Sequence, residues 1–368
     1  MKKKVLVAMS GGLDSSMAAL LLKEEGYEVE GFTMQIWPQN IASGSIDNGL
    51  NIIAGAKQMS EYLDIKHHVW NLQEFFATNI IEYFCQAYQN GLTPNPCIYC
   101  NHILKFGLWL DKAREMGFDY LATGHYVRKK WQTSSACWEL WKGSDPYKDQ
   151  SYFLYQLTQQ QLEYVLFPLG DICKKEVREL AKSKGLEIAQ KAESQDICFV
   201  PNGKHGDFIT EWIKTDVRGV DIRLQGSGKL LGYGKPIYYY TLGQRKGLGT
   251  SNEEPLYVSK IEKTINTVWV TTGEKLNSNG LIANGSSYVS GKVVPEGTNI
   301  KCKIRYSTGF INAQMNKVTE HGFSLSFFEP QRAITPEQSV VLYSEDGVKV
   351  LGGGKIIKGL EEVYNGRE

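Results

Sequence analysis

A glycine-rich loop that follows an apolar run near the N-terminus constrains the fold more than any other segment. Val5 to Met9 predicts a first β-strand, after which the chain breaks into Ser-Gly-Gly-Leu-Asp-Ser-Ser at residues 10–16. Gly11 and Gly12 allow a sharp turn and the close approach of backbone N–H groups to an anion. The helix predicted from Ser16 to Glu24 presents its positive end to the same place. The pattern therefore predicts a phosphate-binding strand–loop–helix unit.

This loop is not the common Gly-x-x-x-x-Gly-Lys phosphate loop, because no lysine follows its second glycine. It resembles the loop of the PP-loop pyrophosphatases, which split ATP into AMP and pyrophosphate and so adenylate a carbonyl oxygen. The resemblance implies ATP as a substrate, and Asp14 is a candidate for holding Mg²⁺ on its phosphates. The alternative interpretation is a plain glycine-rich turn at the start of a βαβ unit.

The first half of the chain alternates strand and helix signals, which predicts an α/β domain with a parallel sheet covered on both faces. The polar segment from Gln39 to Asn51 is interpreted as a loop, and Ile52 to Leu63 as a helix. Further strands are predicted at Val29–Met34, Lys66–Trp70 and Tyr120–Thr123, and further helices at Phe75–Gln89 and Ile103–Met116.

From about Gly203 the chain becomes rich in glycine, tyrosine, valine and threonine in short alternating runs. This change predicts a small central β-rich domain and then a C-terminal β-barrel. We expect domains at residues 1–205, 206–278 and 279–368. Within them a hairpin is predicted from Leu256–Ile261 and Thr267–Thr272, and further strands at Ser287–Val294, Lys301–Tyr306, Gly322–Phe328 and Val340–Ser344.

Composition places few limits on the partners of this chain of 368 residues. The net charge of +1 neither requires nor excludes nucleic acid. No apolar stretch is long enough to cross a bilayer, and the N-terminus enters a strand without a cleavable signal. Seven cysteines without such a signal indicate a reducing compartment, so we expect a cytoplasmic protein without a membrane partner.

Two cysteines stand out from the other five. Cys100 follows a proline-stiffened approach at Pro94 and Pro96, and we expect it near a helix N-terminus, where the helix field lowers a thiol pKa. Cys198 follows a polar Ser-Gln-Asp sequence, although its apolar neighbours also fit a buried structural cysteine. The basic residues of the helix that begins near Lys174 are interpreted as a solvated face, with phosphate contact as the alternative.

Six motifs in order closely resemble the bacterial and organellar tRNA-specific 2-thiouridylase family, nearly from end to end. They are Ser-Gly-Gly-x-Asp-Ser-Ser (10–16), Thr-Pro-Asn-Pro-x-x-x-Cys-Asn (93–101), Ala-Thr-Gly-His-Tyr (122–126), Lys-Asp-Gln-Ser-Tyr-Phe (148–153), Asp-Ile-Cys-Phe (196–199) and Gly-Gln-Arg-Lys-Gly-Leu (243–248). The resemblance implies a transferase that adenylates C2 of wobble uridine 34 in tRNAs for Lys, Glu and Gln and replaces its oxygen with sulfur.

The same resemblance assigns site residues. Cys198 matches the persulfide carrier that an upstream sulfur-relay protein loads, and Cys100 matches the partner thiol that frees the sulfur or closes a disulfide. The residues expected at ATP are Ala8, Met9, Ser10, Gly11, Gly12, Leu13, Asp14, Ser15, Ser16, Met34 and Gly124. The residues expected at tRNA are Asn95, Pro96, Cys97, His125, Lys148, Asp149, Gln150, Arg305, Tyr306 and Gln338.

Cys97 leaves the sulfur chemistry open, because some relatives carry aspartate there. That aspartate is a candidate acid/base, so in a persulfide route Cys97 either fills its polar role poorly or is a bystander. Alternatively, Cys97, Cys100 and Cys198 together could hold a [4Fe–4S] cluster whose free iron carries sulfide. We favour the persulfide route without a resident metal, since a Cys-x-x-Cys pair alone is weak evidence for metal. Two further alternatives are a PP-loop amide ligase for a small molecule and a tRNA-binding protein without enzymatic activity.

Overall fold

The structure is a computed structural model that describes residues 2–37, 43–186, 197–200, 203–214, 218–249 and 254–360, with side chains from residue 50 onward in the second range. The Ser-Gln-Asp sequence before Cys198 lies outside the described residues. Among the described residues, no helix combines the length and apolar character that a membrane crossing requires.

Strands and helices follow each other in the order predicted for the first half of the chain. The strands there are β1 Lys4–Ala8, β2 Glu28–Gln35, β3 His67–Asn71, β4 Tyr120–Ala122, β5 Val127–Gln132, β6 Cys137–Lys142 and β7 Val165–Leu166. The helices are α1 Leu13–Glu24, α2 Ser43–Tyr62, α3 Gln73–Phe76, α4 Glu82–Gln89, α5 Pro96–Cys100, α6 Trp109–Glu115, α7 Gln159–Glu163, α8 Lys174–Ser183 and α9 His205–Ile213.

The first sheet has the parallel order β3-β2-β1-β4-β7, which confirms the predicted α/β domain. Val5 and Val7 of β1 pack with α1 and α8, whereas Leu6 packs on the opposite face with residues such as Trp109 of α6. Because β1 is hydrogen-bonded to β2 on one side and β4 on the other, the strand order reverses there. The crevice at the carboxyl ends of β1 and β4 is therefore the place where such sheets bind ligands.

Two helix predictions are wrong at their first residues. Helix α2 begins at Ser43, within the segment predicted as a loop, and it packs on the glycine loop so closely that a Cβ on Gly11 would lie 2.7 Å from the Ile52 carbonyl oxygen. The second wrong prediction is the helix expected to begin at Ile103. It is part of a continuous helical segment over residues 96–115, which begins seven residues earlier. Its central turn, Asn101–Leu108, is π-helical. Pro96 fits the first helical position because no hydrogen-bonded N–H is needed there.

The second half consists of two β-structures. Strands β8 Asp221–Leu224, β9 Leu230–Tyr233, β10 Tyr257–Glu262 and β11 Thr267–Thr271 form a sheet in the order β10-β11-β8-β9. The antiparallel β10–β11 pair confirms the predicted hairpin. The later strands are β12 Asn277–Tyr288, β13 Asn299–Lys303, β14 Ile311–Val318, β15 Gly322–Arg332, β16 Ser339–Tyr343 and β17 Lys349–Leu360.

These last six strands form the predicted barrel, which the β12–β17 pairing closes. The strand predicted at Ser287–Val294 is wrong, because β12 ends at Tyr288. Strand β17 continues through three glycines that look like a turn in the sequence. A Cβ on Gly352 or Gly353 would lie 2.1 or 2.4 Å from a neighbouring carbonyl oxygen, so close backbone approach explains this glycine run. The β5–β6 hairpin joins the barrel sheet through the β6–β17 pairing.

Candidate active site

A cavity of about 400 Å³ lies at the crevice where the strand order reverses. Residues at the ends of β1, β2 and β4 form its floor, and the helical segment 96–115 and the turn at Cys198 form other walls. Its lining is Ala8, Met9, Ser10, Asp14, Ser15, Phe32, Thr33, Met34, Ile36, Trp37, Ile52, Phe76, Ile80, Pro96, Cys97, Cys100, Lys105, Trp109, Thr123, Gly124, His125, Gln150, Ile197, Cys198 and Phe199.

The glycine loop is held in shape by its own serines. The Ser10 backbone N–H donates to Ser15 Oγ at 3.0 Å, and the Ser16 hydroxyl donates to the Gly12 carbonyl oxygen at 2.9 Å. Gly11 has a φ of +62°, in the left-handed region that favours glycine. Gly11, Gly12, Leu13 and Ser16 thus shape the loop without lining the cavity, whereas the other predicted ATP residues line it.

Gly124 lies against the start of α1. A Cβ at this position would be 2.9 Å from the Asp14 carbonyl carbon and 3.0 Å from the Ser15 nitrogen. A larger residue would therefore push apart the two loops that flank the crevice. Gly124 and Met34, both predicted at ATP, line the same cavity, Gly124 after β4 and Met34 from β2.

A buried lysine, which the sequence did not assign to the site, holds Asp14. Lys174, at the start of α8, is 4% exposed, and its Nζ lies 2.6 Å from Asp14 Oδ1. The Tyr126 hydroxyl donates to the same oxygen at 2.7 Å. The interpretation of Lys174 as part of a solvated face is wrong, because α8 packs on α1 and turns this side chain inward. The phosphate loop therefore has a fixed ammonium group beside it.

Two of the three candidate thiols lie on one helical segment. Asn95 caps it, since its Oδ1 accepts from the Ile98 N–H at 3.2 Å, and Cys97 and Cys100 follow. Cys100 is 8% exposed and occupies the fifth helical position rather than the N-terminus. Burial raises the pKa of its thiol to about 11, although the Lys105 charge opposes the shift. The predicted lowering of the Cys100 pKa is therefore wrong.

The position of Cys198 is fixed by Phe199, the residue that follows it. The buried ring of Phe199 packs on Phe76 and Phe84, with centroid distances of 5.6 and 5.2 Å. The Cys198 thiol itself is exposed to solvent within the cavity, although protein atoms surround it on most sides. This enclosure raises the thiol pKa, as do Cys97 and Cys100, while Lys105 lowers it. The interpretation of Cys198 as a buried structural cysteine is wrong, because Cys198 is exposed while Phe199 and Val200 after it are buried.

Some of the other residues predicted to contact tRNA line this first cavity, and others lie beside its lining. Pro96, Cys97, His125 and Gln150 line the cavity. The pKa of the His125 imidazole lies well below its usual value because of burial and the Lys105 charge, so the ring is neutral near pH 7.

Two predicted tRNA residues lie beside that lining. Asp149 is buried and accepts hydrogen bonds from the Gly143 and Ser151 N–H groups and the Ser151 hydroxyl, which makes it a loop-shaping residue rather than the predicted tRNA contact. Lys148 is partly exposed next to it.

A second cavity, of about 490 Å³, brings together segments of all three expected domains. Gln338 donates to the Thr93 carbonyl oxygen at 2.8 Å, and Tyr306 stacks on Phe153 with centroids 4.5 Å apart. Arg305 donates to the Ala333 carbonyl oxygen at 2.6 Å. The lining is Thr93, Asn95, Thr241, Leu242, Gln244, Arg305, Tyr306, Ser307, Thr335 and Gln338. The predicted tRNA residues Asn95, Arg305, Tyr306 and Gln338 therefore meet at one cavity.

All seven cysteines are free thiols in the structure. Within the described part of the chain, no three His, Cys, Asp or Glu side chains are arranged to hold a metal ion. No described geometry therefore favours the cluster hypothesis over the persulfide route.

Three family models match the chain in succession. They are described as a tRNA methyl transferase HUP domain over residues 3–202, a tRNA methyl transferase PRC-barrel domain over 206–272 and an aminomethyltransferase β-barrel domain over 278–356. The chain is 45% identical over 359 residues to the tRNA-specific 2-thiouridylase MnmA 1 of Caldanaerobacter subterraneus, covering 96% of this chain and 98% of the relative. It is 42% identical over 364 residues to the tRNA-specific 2-thiouridylase MnmA of Caldicellulosiruptor saccharolyticus, covering 98% of this chain and 100% of the relative.

Proposed function

Since the chain belongs to the tRNA-specific 2-thiouridylase family, we propose that it is an ATP-dependent tRNA uridine 2-sulfurtransferase. One observation supports this proposal above the others. A phosphate-binding loop and an exposed thiol, which are 182 residues apart between Ser16 and Cys198, line or border the same cavity. A small-molecule amide ligase needs the loop but has no use for Cys198 and Cys100, and a pure tRNA-binding protein needs neither.

ATP would bind with its phosphates on the glycine loop and its adenosine toward β2 and β4. The Lys174 ammonium and the N-terminus of α1 would stabilise the phosphate charge. Asp14 is the one carboxylate among the described residues that line the cavity. A single carboxylate suits Mg²⁺, which takes most of its ligands from phosphates and water, so Asp14 would hold this ion and the ion would neutralise phosphate charge.

Adenylation prepares the uridine for substitution. The C2 oxygen of the uridine attacks the α-phosphorus of ATP, the bond to the β-phosphate oxygen breaks, and pyrophosphate leaves while the N3 proton is lost to solvent. The poor oxygen leaving group has then become AMP. The fixed Ser10–Ser15 hydrogen bonds keep the loop in one geometry for this step.

Sulfur transfer then uses both thiols. An upstream persulfide donor leaves a persulfide on Cys198, whose outer sulfur attacks C2 as AMP departs. The Cys100 thiolate attacks the inner sulfur, which breaks the S–S bond, leaves sulfur on C2 and forms a Cys100–Cys198 disulfide. In the alternative order Cys100 first releases hydrosulfide, which attacks C2. In both orders the two thiols supply the two electrons that reduce the sulfane sulfur, and an external thiol reductant restores them.

We further propose that the second cavity binds tRNA next to the wobble base. Arg305 supplies positive charge, Tyr306 supplies an exposed ring for stacking, and Asn95 and Gln338 supply amides. Lys148 lies outside this lining, but its charge acts on Tyr306 and would add to the positive potential. The tRNAs for Lys, Glu and Gln remain the proposed substrates, and the cytoplasm the proposed location. The partition at 1–205, 206–278 and 279–368 is likewise retained as a proposal, in which tRNA contacts all three parts.

The test is a single-turnover reaction with ATP, unmodified tRNA and a persulfide donor labelled with heavy sulfur. Wild type should form labelled 2-thiouridine, whereas Cys198→Ser should lose the protein-bound persulfide and Cys100→Ser should keep it without transferring the sulfur. Cys137→Ser is the matched control, because Cys137 is a half-buried free thiol of the β5–β6 hairpin outside the cavity. Persulfide on Cys100 alone would reverse the two roles, and turnover of ATP to pyrophosphate without tRNA would favour the ligase.

A further inference from the structure

Lys105 is the one cationic side chain among the described residues that line the active-site cavity. It is half-buried, and no hydrogen bond or ion pair with a described residue engages its ammonium group. The other titratable groups that line the cavity are Asp14, Cys97, Cys100, His125 and Cys198. Asp14 is already paired with Lys174, and His125 is neutral. The Lys105 charge therefore faces three thiols.

The π-helical turn places Lys105 on the thiol face of its helix. In an α-helix of 3.6 residues per turn, the five residues from Cys100 to Lys105 make about 1.4 turns, so the two side chains would diverge. Over Asn101–Leu108 the helix is π-helical, and the Trp109 N–H donates to the Leu104 carbonyl oxygen five residues earlier. Five residues then complete little more than one turn, which brings Lys105 over Cys100.

The spacing of the cavity-lining residues agrees with this geometry. Along the helical segment they are Cys97, Cys100, Lys105 and Trp109, so the intervals are three, five and four residues. Regular α-helical spacing would present Leu104 instead of Lys105, but Leu104 is fully buried in the core. The extra residue of the π-helical turn thus places Lys105 rather than Leu104 on the cavity wall.

We propose that Lys105 is the charge partner of the sulfur anions formed at Cys100 and Cys198 during transfer. This inference rests on the proposed function, in which the thiolates and the persulfide carry negative charge beside C2. Lys105 acts through the thiols and is therefore a positioning residue. The direction of its electrostatic effect agrees, because its charge lowers the pKa of Cys97, Cys100 and Cys198 against the opposing effect of burial.

The experiment measures alkylation of Cys198 and Cys100 by a small haloacetamide at pH 7–10, resolved by peptide mass spectrometry, without ATP or tRNA. Lys105→Met should raise the thiol pKa by about one unit, which makes alkylation about tenfold slower at each pH below that pKa. Lys105→Arg, which keeps the charge, should stay close to wild type. Lys175→Met is the matched control, because Lys175 is an exposed lysine of α8. Should the methionine variant fail to fold, Lys105→Gln carries the same test.

A parallel measurement of ATP binding tests whether Lys105 binds phosphate instead, which is the other role that a lysine in this cavity would have. If Lys105→Met leaves both alkylation profiles unchanged but weakens ATP binding, Lys105 is a phosphate ligand and the inference is overturned. Unchanged profiles with normal ATP binding overturn it as well. The thiol assay does not depend on tRNA, so the two failures are distinguishable. A shifted profile in a protein that forms no 2-thiouridine would refute the proposed function, and the role of Lys105 in transfer with it, while the effect of Lys105 on the thiol pKa would still be established.

Discussion

Breaking the pair between Lys174 and Asp14 should destabilise the nucleotide-binding domain measurably. The Lys174 side chain is 6% exposed and that of Asp14 is 35% exposed, and Nζ lies 2.6 Å from Oδ1. In Lys174→Met the Asp14 carboxylate loses its ammonium partner and keeps the Tyr126 hydroxyl. In Asp14→Asn the nearly buried ammonium loses its carboxylate, and water reaches it less easily than it reaches Asp14.

The exposure of the two groups sets the expected size of the loss. Removing one partner of a fully buried pair costs about 3–5 kcal/mol, whereas an exposed pair is worth about 0–1 kcal/mol. Because Asp14 is about one-third exposed, we expect about 2 kcal/mol for Lys174→Met, and more for Asp14→Asn. For a domain of this size about 2 kcal/mol lowers Tm by about 4–8 °C. The double variant should lose less than the sum of the single variants, because it removes both charges of the pair together.

The coupling energy between Lys174 and Asp14 is measured by thermal unfolding of wild type, both single variants and the double variant. The effect on adenylation is measured as pyrophosphate release with tRNA present. Lys175→Met serves as the control, since the side chain of this neighbouring lysine is 87% exposed and its loss should change stability by no more than about 0.5 kcal/mol. Adenylation should fall steeply in Lys174→Met. A Tm equal to that of wild type, together with strictly additive losses, would refute the structural role assigned to the pair.

Three further outcomes are expected. Cys97→Ser should keep most of its thiolation activity in iron-free protein, because the persulfide route uses two thiols; an inactive variant beside a wild type that works only with iron would establish the cluster route. Arg305→Ala should weaken tRNA binding and reduce the slope of log K against log salt by about one, because one phosphate contact is lost. Arg245→Ala, which changes an arginine on an exposed turn, is measured for comparison. Glu337 has a φ of +67° and pairs with Lys355, so Glu337→Ala should lower Tm more than Glu337→Gly, which relieves the backbone strain; the reverse order would contradict the strain.

The phosphate loop could be predicted from the sequence because its determinants are local. Strand β1, the glycine turn and helix α1 are contiguous, and both the positive φ of Gly11 and the serine hydrogen bonds arise within a few residues. The apolar run Val5–Val7 also indicates a strand covered on both faces, since only such a strand buries successive residues completely. Local chemistry of this kind is visible without knowledge of the tertiary structure.

The residues that the sequence did not reveal depend on distant parts of the chain. Lys174 reaches Asp14 across 160 residues, and in the sequence it begins a run of basic residues that looks like a solvent-facing helix. Lys105 depends on a π-helical turn, which shifts the helical phase by one residue and has no composition signal of its own. The glycines of β17 resemble a turn until the approach of the neighbouring strands is known. In each case the tertiary structure decides what the local pattern leaves open.

The unequal exposure of Cys198 and Cys100 gives a second reason to propose separate roles for them. A persulfide donor is itself a protein, so the thiol that it loads must be open to the solvent, and only Cys198 of the pair is exposed. Cys100 is 8% exposed within the helical wall of the same cavity, where a large donor cannot reach it. Burial raises the pKa of the Cys100 thiol, and the Lys105 charge opposes that rise. The difference in exposure agrees with the proposed loading at Cys198 and the proposed resolution by Cys100.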